Sequence, residues 1–72
     1  MEFEEKLKQM GAKIVYYRIL RGYNQKDFAA EIGVSRQFLG KIEKGETPCS
    51  LAMLNRLAEA LGVKLSDIME GI

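Results

Sequence analysis

The chain contains no histidine and no tryptophan, a single cysteine and a single proline. Without histidine the usual zinc sites, the Ser-His-Asp triads and imidazole acid–base chemistry are out of reach. One cysteine, Cys49, excludes an internal disulfide framework and agrees with a reducing compartment. Excess charge of one sign is also missing. The 11 basic and 10 acidic residues leave a net charge of +1, so the total points to neither a nucleic acid, a membrane nor an acidic partner. No apolar run approaches the about 18 residues of a membrane span, and the acidic opening Met1-Glu2-Phe3-Glu4-Glu5 does not resemble a secretory or transit signal. The carboxylates are scattered over helix ends, and no glycine-rich phosphate cradle is present. These absences imply a cytoplasmic protein that is not an enzyme, with no metal, no cofactor and no membrane association.

What is present is ordinary globular material: 72 residues, 47% of them apolar, with no repeat, linker or low-complexity tract. A single domain over residues 1–72 is expected. A chain of this size buries only about 60% of its unfolded surface, so a dimer would add stability. The apolar period is helical throughout. Phe3, Leu7, Met10, Ile14 and Tyr17 follow a 4-3-4-3 spacing that keeps them on one face of a first helix. Glu2, Glu4 and Glu5 at its start and Arg18 and Arg21 at its end complement the helix dipole, and Gly22 stops it. Gly11 leaves two readings open for residues 1–10, a continuous extension of this helix or a separate short turn.

Asn24 caps a second helix from about Gln25 to Ile32, with Phe28, Ala29 and Ile32 turned inward. Gly33 ends it. Ser35 caps a third helix to about Lys44, facing the core through Leu39 and Ile42, and Gly45 stops that one. After the Thr47-Pro48-Cys49 loop, Ser50 caps a fourth helix carrying Leu51, Leu54, Leu57, Ala58 and Leu61 on one face. Gly62 ends it, and Leu65, Ile68 and Met69 seed a short fifth. The pattern predicts an all-α, compact five-helix domain.

The informative stretch runs from Asn24 to Ile42. Two short helices flank a turn of about three residues centred on Gly33; Ala29 is small enough to let them approach, and Val34 plugs the angle between them. That is the make-up of a helix-turn-helix, whose second helix can enter a DNA major groove. The chain resembles the Cro/repressor-type (xenobiotic-response-element-like) helix-turn-helix family of bacteria and phages. The resemblance covers roughly Gly11 to Met69 and rests on several segments in register. These are Gly11, Ile14 and Arg18, then Gly22-Tyr23-Asn24-Gln25, Gly33-Val34-Ser35, Ile42-Glu43-Lys44-Gly45 and Leu57-Ala58-Glu59-Ala60-Leu61-Gly62-Val63. It implies a lambda-repressor-like DNA-binding fold and, commonly, a homodimeric transcriptional regulator.

Residue by residue, the resemblance places Ser35, Arg36, Gln37 and Lys41 on the groove side of the third helix. Helical spacing agrees, since inward Leu39 and Ile42 leave Arg36, Gln37, Gly40, Lys41 and Lys44 outside, with Phe38 at the margin. Arg36 and Lys41 suit guanine O6/N7 and Gln37 suits adenine N6/N7; Phe38 either contacts a thymine methyl or laps onto the core. Asn24, Gln25, Ser35 and Lys44 are the candidates for phosphate contact, Gln25 being matched to a phosphate-binding glutamine of the family. The resemblance also implies a structural ion pair between Arg18 and Glu43. Charge placement supports the reading: Arg18 to Lys44 holds six basic and three acidic residues, a net +3, which leaves −2 elsewhere.

A solvated helix face would also carry Arg36, Gln37 and Lys41, and only the flanking pattern favours DNA. Glu46 stands where relatives often have a basic residue, Pro48 lies one position before the usual proline, and Gly40 costs about 1 kcal/mol of helix propensity. Gly40 either lets the helix approach DNA closely or carries no meaning. Cys49 reads as an inert loop thiol, with redox sensing as its alternative, and Tyr16, Tyr17 and Tyr23 read as packing residues. The expected function is a sequence-specific regulator of double-stranded DNA, repressor-like because no effector domain is seen, bound to a palindromic operator as a homodimer. The dimer surface is expected on the final helix, at Leu65, Ile68, Met69 and Ile72. The alternatives are an antitoxin or other module that binds a small protein partner, and a coactivator or ribosome-associated factor. The Phe3-Leu7-Met10 stripe reads first as an extension of the core and next as a surface for a partner helix, and the N-terminal extension favours the first alternative; the second predicts binding insensitive to Arg36 and Lys41.

Overall fold

The computed structural model describes residues 2–69, which form α1 (Glu2–Leu20), α2 (Gln25–Ile32), α3 (Arg36–Lys44), α4 (Leu51–Leu61) and α5 (Leu65–Met69). Among the described residues there is no strand. Three of the helices begin on the same device. Asn24, Ser35 and Ser50 hold extended backbone and each accepts, on a side-chain oxygen, the N–H three residues on: Asp27 at 2.7 Å, Phe38 at 3.0 Å and Met53 at 3.1 Å. Each cap satisfies one of the donors that a helix start leaves open. Ser50→Ala removes a cap at the edge of the fold and should cost about 1 kcal/mol, read as a lower urea midpoint with an unchanged slope.

The turn between α2 and α3 needs a left-handed residue, and Gly33 supplies it at φ +75°. The chain then folds back so that Val34 N–H donates to Ala29 O at 3.0 Å, while the Val34 side chain packs against the core. The core is assembled from every helix: Ile14 of α1, Phe28, Ala29 and Ile32 of α2, Leu39 and Ile42 of α3, Leu54, Leu57, Ala58 and Leu61 of α4, and Ile68 of α5. Tyr23 leans on Phe28 with ring centroids 5.2 Å apart, and Tyr17 packs against the same cluster. From α4, the Arg56 guanidinium donates to Ile32 O at the C-terminal end of α2. That places a cation where the helix dipole is negative.

Gly11 does not break α1. It is buried mid-helix where α1 crosses α3, and a Cβ there would sit 2.6 Å from Ile42 O and closer still to Glu43 O. Glycine is therefore the residue that permits this backbone-to-backbone approach. The loop after α3 rests on α1 as well: a Cβ on Gly45 would lie 2.7 Å from Lys8 Cα.

Phe3 does not extend the core; it is 63% exposed, because α1 meets the α3–α4 loop at Lys8 and the first turn runs past that contact. The final helix offers less dimer surface than its sequence suggests, because Ile68 is wholly buried in the chain's own core and Leu65 is partly so. Met69 remains exposed, and Ile72 lies outside the described residues.

Candidate nucleic-acid interface

Leu39, Ile42 and Glu43 are the buried side of α3, and their spacing turns Arg36, Gln37, Lys41 and Lys44 outward, all four exposed. Gly40 lies between Arg36 and Lys44 on the flank facing α2. Phe38 is on the other flank and counts among the exposed large apolar side chains at 36%. Gln25, Arg36, Gln37, Gly40, Lys41 and Lys44 line an open depression of about 490 Å³, with Glu46 at its rim. Three of these side chains carry permanent positive charge. Glu46 sets one negative charge against them, so attraction for a polyanion falls off toward the α3–α4 loop.

A polar network beneath this face fixes its angle. Arg18 donates Nε to Glu43 Oε2 at 2.7 Å and Nη2 to Glu43 Oε1 at 3.2 Å, while its Nη1 donates to Tyr23 O at 3.0 Å. The pair joins α1 to α3 with side chains only 11% and 4% exposed, so both charges are largely removed from water. Gln25 Nε2 donates to the same Glu43 Oε1 at 2.9 Å, and Gln25 Oε1 accepts Arg36 Nε at 3.4 Å. The chain of contacts therefore runs from Arg18 through Glu43 and Gln25 to Arg36. No buried side-chain nitrogen or oxygen among the described residues lacks a partner.

The resemblance implies the Arg18–Glu43 pair, whereas Gln25 and Arg36 join that network only in the structure. From sequence Gln25 is a phosphate contact or a plain first-turn helix former. In the structure one amide hydrogen and the carbonyl oxygen of Gln25 are engaged within the protein, which leaves its second amide hydrogen for a ligand. Asn24 and Ser35 spend a side-chain oxygen on capping; the carboxamide N–H of Asn24 and the hydroxyl hydrogen of Ser35 remain as donors. Nothing local to the sequence position of Arg56 signals its contact with Ile32, 24 residues away. Cys49 is half-buried, and burial pushes its thiol above the ordinary value, away from the reactive thiolate. Among the described residues no cluster could hold a metal ion, and no helix is long and apolar enough to cross a membrane.

Comparison with known proteins follows the same geometry. The pattern of the helix-turn-helix family (HTH_3) matches residues 14–68, from within α1 through α2, α3 and α4 to Ile68 of α5. The chain belongs to this family. An HTH-type transcriptional regulator of Methanocaldococcus jannaschii is 44% identical over 59 residues, 82% of this chain and 89% of that protein. The regulator YazB of Bacillus subtilis is 34% identical over 58 residues, 81% of this chain and 84% of its own. Among solved structures, the restriction-modification controller protein C.AhdI from Aeromonas hydrophila superposes with a TM-score of 0.82 at 27% identity, covering 86% of this chain and 94% of that one. As an HTH_3 protein, the chain is a transcriptional regulator with a helix-turn-helix DNA-binding fold, and it is not an enzyme. In this HTH_3 member, α2 and α3 are the two helices of the motif.

Proposed function

We propose that the chain is a repressor that reads double-stranded DNA by sequence, binding a palindromic operator as a cytoplasmic homodimer. Arg36, Gln37, Lys41 and Phe38 contact base edges, and Asn24, Gln25, Ser35 and Lys44 contact phosphates. The observation that carries this is the outer face of α3. Four long donors stand on it uncovered, and the helix beneath is clamped to α1 by the Gly11 crossing and the Arg18–Glu43 pair. A helix held in this way need not reposition its backbone to bind, which removes one of the ordering costs of association. A two-fold dimer would set its reading helices about 34 Å apart, one turn of DNA.

The test is selection from random duplexes followed by a salt titration on the selected sequence. The expected product is a palindrome whose affinity falls steeply with salt. Arg36→Ala should cost about tenfold, the low end of one bidentate base contact, and relax the preference at one position of each half-site. Lys44→Ala should weaken all sequences alike and reduce the salt slope by about 1. No enrichment, or enrichment indifferent to Arg36 and Lys41, overturns the reading.

One observation favours a second reading, that of an antitoxin or other partner-binding module. Tyr16, Ile19 and Leu20 are each at least 60% exposed on the side of α1 turned away from α3, where they would stay accessible with α3 in a groove. Under that reading a small protein co-purifies with the chain, and Ile19→Glu abolishes its capture while DNA binding persists.

A further inference from the structure

We propose that Gly40 is a specificity-determining position, and that the notch it leaves in α3 receives the 5-methyl group of a thymine. The inference rests on the reading of α3 as a major-groove helix. The notch is flanked by Arg36 one turn before and Lys44 one turn after, with Gln37 beside it. It is not an artefact of crowding. A Cβ on Gly40 would meet Gln25 Nε2 at 3.7 Å, an ordinary van der Waals contact, so the fold admits alanine there. Alanine would also favour the helix, since glycine is among the poorest residues in a helix interior. The fold therefore gains nothing from glycine at this place, unlike at Gly11, where neighbouring backbone forbids a side chain.

The chemistry of the notch selects its occupant. Its floor is a Cα and helical backbone whose N–H and C=O are engaged along the helix axis, so the floor offers no donor and no acceptor. The walls carry donors at their tips and methylene stems below. A base presents only one apolar group to the major groove, the thymine methyl. A methyl seated on the Gly40 floor lets Arg36 and Gln37 reach neighbouring base edges on one side while Lys44 reaches the backbone on the other. Phe38, two residues away and so on the other flank of α3, cannot share that contact. A Cβ on residue 40 would fill the space that the methyl needs.

The experiment pairs Gly40→Ala with thymine-to-deoxyuridine exchange, position by position, in the duplex selected by the wild-type protein, with affinities from fluorescence anisotropy. One exchange per half-site should weaken the wild-type protein several-fold. Gly40→Ala should melt at the same or a higher temperature and bind the parent duplex about tenfold more weakly. On the duplex lacking the methyl at that position it should lose nothing further or recover affinity, because methyl and Cβ compete for one space. Wild-type indifference to every exchange overturns the proposal. So does a Gly40→Ala protein that binds the parent duplex normally, or one that is weakened equally on thymine and deoxyuridine duplexes. If the wild-type protein selects no duplex at all, it is the major-groove reading that fails, and this inference falls with it.

Discussion

Arg18→Ala lowers the stability of the fold by about 3–5 kcal/mol, the usual consequence of stranding one charge of a buried pair. The residue left behind is Glu43, whose carboxylate is 4% exposed and takes three of its hydrogen bonds from Arg18 and Gln25. Removing the guanidinium also strands Tyr23 O, which accepts from Arg18 Nη1 at 3.0 Å. A domain of this length shifts its melting midpoint by roughly 4–8 °C per kcal/mol, so the midpoint should fall by more than about 12 °C. Because Gln25 hangs on Glu43 and Arg36 on Gln25, DNA affinity should fall even at temperatures where the variant stays folded. Glu43→Gln, which keeps shape and a hydrogen-bonding oxygen, should be milder than Glu43→Ala. Thermal unfolding followed by circular dichroism, with the three variants side by side, checks the order.

Gly11→Ala is the second large effect and works through the backbone. The added methyl would press on Ile42 O and Glu43 O, which belong to the helix that carries the reading face and cannot rotate aside as a side chain would. Overpacking of this kind costs about 1–3 kcal/mol, and the upper end applies where both partners are backbone. Alanine normally strengthens a helix by about 1 kcal/mol relative to glycine. A measured loss would therefore have its sign set by the α1–α3 crossing against the helix's own preference. At Gly40 the same substitution should leave the fold intact or firmer, which makes the two glycines controls for each other. Urea denaturation of both variants, compared at a common slope, separates them.

The local devices were legible from sequence because they are made of neighbouring residues. Asn24, Ser35 and Ser50 announce helix starts; Gly33, Gly45 and Gly62 announce stops; the spacing of Leu39 and Ile42 selects the outer face of α3. What depends on distant residues was less accessible. A glycine inside a helical pattern looks the same whether it breaks the helix or admits another backbone, and only the position of α3 decides that Gly11 does the second. Phe3 continues an apolar stripe faultlessly, yet it stays 63% exposed beside the α3–α4 loop and outside the core. Gln25 reads as a polar residue at a helix start and, through the resemblance, as a phosphate contact. Its bridging of Glu43 and Arg36 spans separations of 18 and 11 residues and follows from the packing of α2 on α3.

The central claim is that the outer face of α3 enters DNA. Amide chemical-shift mapping on the selected duplex tests it most directly. The expected result is shifts concentrated at Gln25, Lys26 and Ser35 through Lys44, with Ala12, Tyr16, Ile19 and Leu20 unmoved. Shifts gathered on that face of α1, with α3 silent, would contradict the account.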